Sequence, residues 1–131
     1  MKAIPLLFLV AALSACAPAP ASIPGPIPEA KFVIEPIQID QVDVLIRESF
    51  PVQVSAHITG IIGDGCASFH GVKQARQDHT IILAIEREQE QAEACTQLAQ
   101  LYDETLHLDG EFPAGDYTLK VNGVERSFRI D

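Results

Sequence analysis

Residues 112–130 read FPAGDYTLKVNGVERSFRI and contain the clearest fold signal in the chain. Tyr117, Leu119 and Val121 alternate with polar residues, and a second alternating run follows from Val124 to Ile130. The two runs are separated by Asn-Gly, a pair that tolerates the positive φ angles of a two-residue hairpin turn. This stretch therefore predicts two antiparallel strands joined by a tight turn.

Further runs with a period of two lie upstream of this hairpin. The clearest extends from Val52 to Thr59, where apolar residues alternate with Gln, Ser, His and Thr. Such alternation is typical of a strand with one buried and one solvated face. Weaker runs cover residues 42–47, 67–76, 79–87 and 102–108. About seven short strands separated by turn residues predict an all-β chain folded as an antiparallel sandwich.

Two segments interrupt the strand pattern. Glu86 to Gln100 reads EREQEQAEACTQLAQ and is rich in good helix formers, so we expect one short helix or a long loop near residues 88–100. The glycine-rich stretch from Gly60 to Gly65 predicts a turn region between two strands, with Gly63-Asp64-Gly65 at its tip.

The N-terminus has the features of a targeting segment. Lys2 precedes an apolar run from Ile4 to Ala12, which is too short for a membrane span of about 20 residues. The stretch ends Leu13-Ser14-Ala15-Cys16, which resembles the lipobox of bacterial lipoproteins. The resemblance implies that residues 1–15 are a signal peptide and that Cys16 becomes a diacylglyceryl cysteine. An ordinary secretory signal followed by an unrelated cysteine is the alternative.

A lipidated Cys16 would attach the chain to a membrane outside the cytoplasm. Two acyl chains on one residue meet the general requirement of two signals for stable anchoring. The protein would then lie in the cell envelope, on the outer membrane or on the outer face of the plasma membrane. Residues 16–31 are rich in proline and small residues, which favours an extended tether. A proline-rich ligand is the alternative, and residues 32–131 form the predicted domain.

The charge of the chain excludes one class of partner. Without residues 1–15, whose one charge is Lys2, the chain keeps 8 Lys and Arg against 18 Asp and Glu, a formal net charge of −10. Nucleic-acid binding depends on basic patches that release counterions from phosphates. We therefore expect no nucleic-acid partner, and we expect contact with the membrane through the lipid alone.

Once Cys16 is assigned to lipid, two cysteines remain. An even number in an exported domain indicates a disulfide, and Cys66 with Cys95 is the one possible pair. A nucleophilic cysteine acting with a histidine, or a zinc site that includes Cys66 and His70, is the sharper alternative. The sequence has no C-x-x-C or H-x-x-x-H spacing, and none of the four histidines is singled out. We therefore predict no catalytic, metal or cofactor site.

The stretch from Phe112 to Gly123 is similar to the penultimate strand of immunoglobulin-like and fibronectin-III-like domains. In those domains a proline or glycine turn leads into a strand that opens with tyrosine, whose hydroxyl bonds to nearby backbone. The resemblance implies an immunoglobulin-like sandwich. The cysteine positions depart from that family, since they imply a disulfide between connections or edges instead of one through the core. The combination of G-D-G-C at residues 63–66, Cys95 and P-A-G-x-Y-x-x-x-V-N-G at residues 113–123 is similar to uncharacterised secreted and lipid-anchored bacterial domains, over roughly residues 42–131.

Three functions are compatible with these features. The leading hypothesis is a non-enzymatic domain that binds an envelope protein or polymer through loops or a sheet edge. The second is an exported protease inhibitor of immunoglobulin-like fold, with Gly60 to Gly65 as its inhibitory loop. The third is a hydrolase or a metal-dependent enzyme, although no pair of carboxylates can be placed across a cleft from the sequence.

Mass spectrometry of the mature protein tests the anchor and the disulfide together. We expect a chain that begins at Cys16, carries a diacylglyceryl group and lacks the two hydrogens that an oxidised pair loses. A mature mass without added lipid would contradict the anchor.

Overall fold

A computed structural model describes Gly25 and residues 29–131. The predicted signal peptide, Cys16 and most of the predicted tether therefore lie outside the described residues. The described residues form eight strands and contain no helix: β1 (Phe32–Pro36), β2 (Gln38–Arg47), β3 (Gln53–Gly63), β4 (Ala67–Gln77), β5 (Thr80–Glu90), β6 (Gln100–His107), β7 (Gly115–Val121) and β8 (Val124–Ile130). This all-β architecture confirms the predicted sandwich.

The strands form two packed sheets. The three-stranded sheet has the order β2-β3-β6 and is antiparallel throughout. In the five-stranded sheet, β4 pairs along one edge of β5, while β1 and β7 share the other edge. β1 runs antiparallel to residues 86–90 and β7 runs parallel to residues 80–83. β8 completes this sheet by pairing with β7, which confirms the predicted hairpin.

Asn122 fills the junction between β1 and β7 on the edge of β5. Its side-chain amide donates to the backbone carbonyls of Ile37, at 3.0 Å, and Ile85, at 2.8 Å. Its side-chain oxygen accepts from the Ile85 amide at 3.0 Å. Asn122 and Gly123 have φ angles of 45° and 91°, as the turn requires. The turn residue therefore also continues the hydrogen-bond ladder of β5 across the break.

The core lies between the inner faces of the two sheets. The alternation predicted for β3 is confirmed, since Val54, Ala56 and Ile58 are fully buried. They pack against inner residues of β5 and β7, which are Ile81, Leu83, Ile85, Tyr117, Leu119 and Val121. The Tyr117 hydroxyl donates to the Pro113 carbonyl at 2.8 Å, the backbone bond implied by the immunoglobulin-like resemblance.

The predicted disulfide between Cys66 and Cys95 is present, with a Cα–Cα distance of 5.4 Å. It joins the β3–β4 turn to the loop of residues 91–99, at the end of the sandwich where β1 begins, here called the proximal end. The Gly65 amide donates to the Thr96 carbonyl at 2.9 Å and ties the same two connections together. A disulfide of this kind is typical of proteins outside the reducing cytoplasm.

Several sequence expectations need correction. The prediction of a helix near residues 88–100 is wrong. The alternative, a long loop, is confirmed for residues 91–99. β5 extends to Glu90 because this stretch pairs with both β1 and β4, which outweighs helix propensities of under about 1 kcal/mol per residue. The structure also has one strand more than expected. The additional β1 lacks clear alternation, since its sequence is FVIEP.

The turn predicted from Gly60 to Gly65 is also shorter than expected. Gly60 and Gly63 belong to β3, and the turn comprises Asp64 to Cys66. Gly60 pairs with Ile39 and Tyr102, and a Cβ there would contact the Gln38 carbonyl oxygen. This glycine therefore permits close approach of the backbones at the irregular register of β2.

Replacing Asn122 tests whether the junction depends on its amide. We expect Asn122→Ala to lower the free energy of unfolding by about 2–4 kcal/mol, because backbone groups lose partners and alanine disfavours a positive φ. Asn122→Asp keeps the acceptor for the Ile85 amide but places a carboxylate oxygen against the carbonyls of Ile37 and Ile85, so its loss should be at least as large. Urea unfolding measures all three proteins, and an alanine variant as stable as the parent would contradict this role.

Removing the disulfide by Cys66→Ala with Cys95→Ala should lower the free energy of unfolding by about 3–4 kcal/mol, since the unfolded chain regains the entropy of the closed loop. The parent protein unfolded with and without reductant is the control. Unchanged stability in both comparisons would show that the bond does not constrain the unfolded chain.

Candidate functional site

The structure does not bring the sequence-predicted chemical residues together. Cys66 and Cys95 are oxidised to the disulfide, so neither offers the thiolate that a nucleophile or a zinc ligand requires. Asp64 lies close to both sulfurs, but its carboxylate accepts from the Cys66 amide at 3.0 Å. Asp64, Cys66 and Cys95 therefore lie together because the turn is held by the disulfide and by this hydrogen bond.

The four histidines lie at different places on the sandwich. His57 bonds Asp103 at 2.8 Å on the outer face of the three-stranded sheet, and His70 lies 3.5 Å from Glu88. His79 packs edge-on against the Tyr117 ring at a centroid distance of 4.7 Å. Pairing with strand residues and rings accounts for these three side chains without a ligand. His107 is exposed at the end of β6.

One concave feature with a mostly apolar lining is a groove between β4 and β6, called the β4–β6 groove. It has a volume of about 480 Å³. Among the strands that the structure describes, β4 pairs only with β5 and β6 pairs only with β3. Each is thus an edge strand of its sheet, and the groove follows the open seam between the two sheets. Its lining consists of Ile62, Phe69, Val72, Leu101, Tyr102, Asp103, Glu104 and Leu106.

Strand register explains why apolar side chains line this groove. Val72 lies opposite Ile85, while Tyr102 and Leu106 lie opposite Gly60 and Ala56. Residues opposite one another in a sheet point to the same face, so these side chains point inward. At the seam no further strand among the described residues covers them. Phe69 is 48% exposed, Val72 is 36% exposed and Leu101, at the rim, is 74% exposed.

An aromatic pair forms part of the groove wall. The ring of Phe69 lies 5.7 Å from the ring of Tyr102 and tilts by 30° against it, so the pair connects the two sheets across the seam. Burial and, secondly, the nearby Glu104 carboxylate raise the pKa of the Tyr102 hydroxyl. The hydroxyl is therefore neutral at physiological pH, and its oxygen has no hydrogen-bond partner among the described residues.

Glu104 places a charge on the inward face of an edge strand. It lies between Tyr102 and Leu106 on β6 and is opposite Ile58, a fully buried core residue. Its side chain is exposed because β6 has no neighbour on the groove side among the described strands. Asp103 adds a second carboxylate at the rim, so the groove combines an apolar lining with negative charge.

Arginine side chains bridge the opposite seam and the proximal end. Arg126 of β8 donates to the Val42 carbonyl of β2 at 3.1 Å and connects the two sheets there. At the proximal end, Arg87 donates to the Ile62 carbonyl and to Glu35, both at 2.8 Å. The β4–β6 seam is likewise bridged at its proximal end, where the Gln100 side chain of β6 donates to the Ala67 carbonyl of β4 at 2.7 Å, and the groove opens beyond that bond.

Sequence reasoning did not identify the groove. It named a sheet edge as a possible binding surface, but it assigned Tyr102, Glu104 and Leu106 only to a candidate strand. The available signal was the alternation that puts Glu104 on the same face as two apolar residues. This alternation predicts a binding groove only when β6 is known to be an edge strand.

The described residues include no helix with the length and apolar character needed to cross a membrane.

Comparison with known proteins places the fold in a family. The ORF11 beta-sandwich domain family matches residues 56–130, from the middle of β3 to the end of β8. The chain is 31% identical over 94 residues to an uncharacterised 10.2 kDa protein in the HgiCIIM 5′ region of Herpetosiphon aurantiacus. That alignment covers 72% of this chain and 100% of the relative.

A second relative from the same organism, an uncharacterised 10.2 kDa protein in the HgiBIM 5′ region, is 32% identical over 82 residues. The alignment covers 63% of this chain and all of that protein. No solved structure matches the chain. The family match covers more than half of the chain and establishes that the chain belongs to the ORF11 beta-sandwich domain family.

Proposed function

We propose that this protein is a lipid-anchored cell-envelope domain that binds another envelope protein, without catalysing a reaction, through the β4–β6 groove. The observation that carries the proposal is an apolar groove open between two edge strands. Edge strands present unpaired backbone groups and are common places for peptide segments to add to a sheet. A contiguous apolar surface beside such an edge favours binding of a partner.

The lipobox and the tether support the proposed location. The tether would enter the domain at Phe32, where β1 begins, and Cys16 would hold its other end at the membrane. The Cys66–Cys95 disulfide agrees with an oxidising compartment. A partner in the same compartment can then meet the groove without crossing a membrane.

A binding role without catalysis fits the chemistry around the groove. The described lining offers two carboxylates and one neutral phenol but no histidine, and His57 bonds the Asp103 carboxylate from the outer face of the three-stranded sheet. The inhibitor alternative depended on a projecting loop from Gly60 to Gly65. The turn there is short and tied to Thr96, so the loop hypothesis has less support than the groove.

Site-specific photocrosslinking in intact cells tests the proposal. A photoreactive amino acid replaces Leu101 at the groove rim or, as a matched control, Ala75 on the same strand as Phe69. Ala75 is exposed and pairs with Ile82, so it lies on the outer face of β4. We expect a discrete protein adduct from position 101 and none from position 75, because only the first side chain borders the groove.

A second change links the adduct to the groove itself. Val72→Gln adds polarity to the groove wall at a partly exposed position, and it should reduce the adduct severalfold while the disulfide and the circular dichroism spectrum stay unchanged. Equal crosslinking from both positions would contradict the proposal, as would a carbohydrate adduct or the absence of any adduct from position 101.

A further inference from the structure

We infer that the β4–β6 groove binds an extended peptide segment that adds to β6 as a strand and carries adjacent basic residues between two apolar ones. The inference rests on the proposed function and names the chemistry of the partner segment. It is derived from the register of β6, the placement of Glu104 and the charge of the chain.

The register of β6 determines the pattern of such a segment. Tyr102, Glu104 and Leu106 face the groove, while Asp103 faces outward, so successive residues of an added strand meet alternate faces. Apolar residues opposite Tyr102 and Leu106 would enter the groove. The two residues opposite Glu104 and Asp103 are adjacent in the added strand, and a carboxylate faces each of them.

Charge complementarity selects basic residues at these two positions. Glu104 has no ion-pair partner among the described residues, and Asp103 is paired only with His57, at 2.8 Å. The chain as a whole has a formal net charge of −9. An acidic or uncharged strand would leave the Glu104 carboxylate without a counter-charge beside apolar groups, which costs free energy. Lysine or arginine would form partly desolvated ion pairs and would discriminate against other partners.

The size of the groove fits a short segment. From Tyr102 to Leu106 the strand extends about 13 Å, which corresponds to five residues of an extended partner. For an antiparallel partner, the commoner orientation in sheets, the order from N- to C-terminus is apolar, any, basic, basic, apolar. A peptide of sequence TLTKKLT satisfies this pattern.

Edge protection is the competing explanation for Glu104. An inward-pointing charge on an edge strand opposes pairing with a second copy of the same protein and so protects against aggregation. On that explanation the carboxylate repels other chains but recognises none. The two explanations differ in what happens when a basic peptide is offered and when the charge is reversed.

The test uses the protein expressed in bacteria from the full sequence, so that it is processed there, and purified in detergent. Labelled peptides are titrated into this protein. We expect TLTKKLT to bind saturably and to slow amide hydrogen exchange within Gln100–His107, because the added strand pairs with β6. The scrambled peptide TKTLLTK has the same composition and charge, and it should bind at least about fivefold more weakly. Equal binding of the two peptides would show non-specific attraction and overturn the inference.

Charge reversal at Glu104 provides the decisive comparison. Glu104→Lys should weaken TLTKKLT about five- to tenfold and should strengthen TLTEELT by a similar factor, since surface ion pairs contribute modestly. Glu111→Lys is the control, because it changes the net charge equally at an exposed residue outside the groove. Equal effects of the two substitutions would overturn the inference. So would unchanged peptide binding with more self-association of the Glu104 variant, the result that edge protection predicts.

The peptide and crosslinking experiments fail independently. If the position 101 adduct forms but TLTKKLT does not bind, the inferred peptide chemistry is wrong and the binding function stands. If TLTKKLT binds as expected but no cellular adduct forms, the groove recognises basic strands and the proposed envelope partner is wrong.

Discussion

The hydrogen bonds of the Asn122 side chain join β5 to the chain that leaves β1, at the point where β1 and β7 meet on one edge of β5. The rest of the fold depends on this junction. β5 is the only described strand that pairs with three others, and two of them share one of its edges. A break in an edge ladder leaves buried backbone groups without partners unless a side chain replaces them. Asn122 supplies one acceptor and two donated bonds at that point. Its amide thus behaves as an inserted peptide group between β1 and β7.

This arrangement determines where the molecule remains open. Because β1 and β7 fill one edge of β5 and β4 fills the other, β8 and β4 become the outer strands of the five-stranded sheet. Arg126 of β8 bonds the Val42 carbonyl of β2, and Gln100 of β6 bonds the Ala67 carbonyl of β4 at the proximal end. Beyond Gln100, the apolar side chains of β4 and β6 leave their seam open as the groove. The candidate site is therefore a consequence of topology and does not depend on a projecting loop.

The sequence predicted those features that depend on near neighbours. The β7–β8 hairpin follows from Asn-Gly between two alternating runs, and the disulfide follows from counting cysteines. β1 was missed because FVIEP does not alternate, and its pairing partner lies more than fifty residues away in β5. The helix alternative failed because helix propensity is weaker than pairing on both edges of β5. The groove depends on which strands are edges, and that is decided by the parallel pairing of β5 with β7, a non-local contact that periodicity does not encode.

On the proposed function, Glu104 would both oppose pairing with a second copy of the chain and favour a basic partner. A second copy of the chain that added to β6 would bring its own carboxylates, Glu104 and Asp103, to the same edge, and like charges placed opposite one another destabilise a strand pair. A basic strand at the same positions would instead be attracted to these two carboxylates. The apolar lining and the unpaired edge would stabilise a second copy of β6 and a basic strand alike, because neither interaction depends on the charge of the added strand. On the proposed function, the carboxylates would therefore decide between self-association and binding of a basic strand.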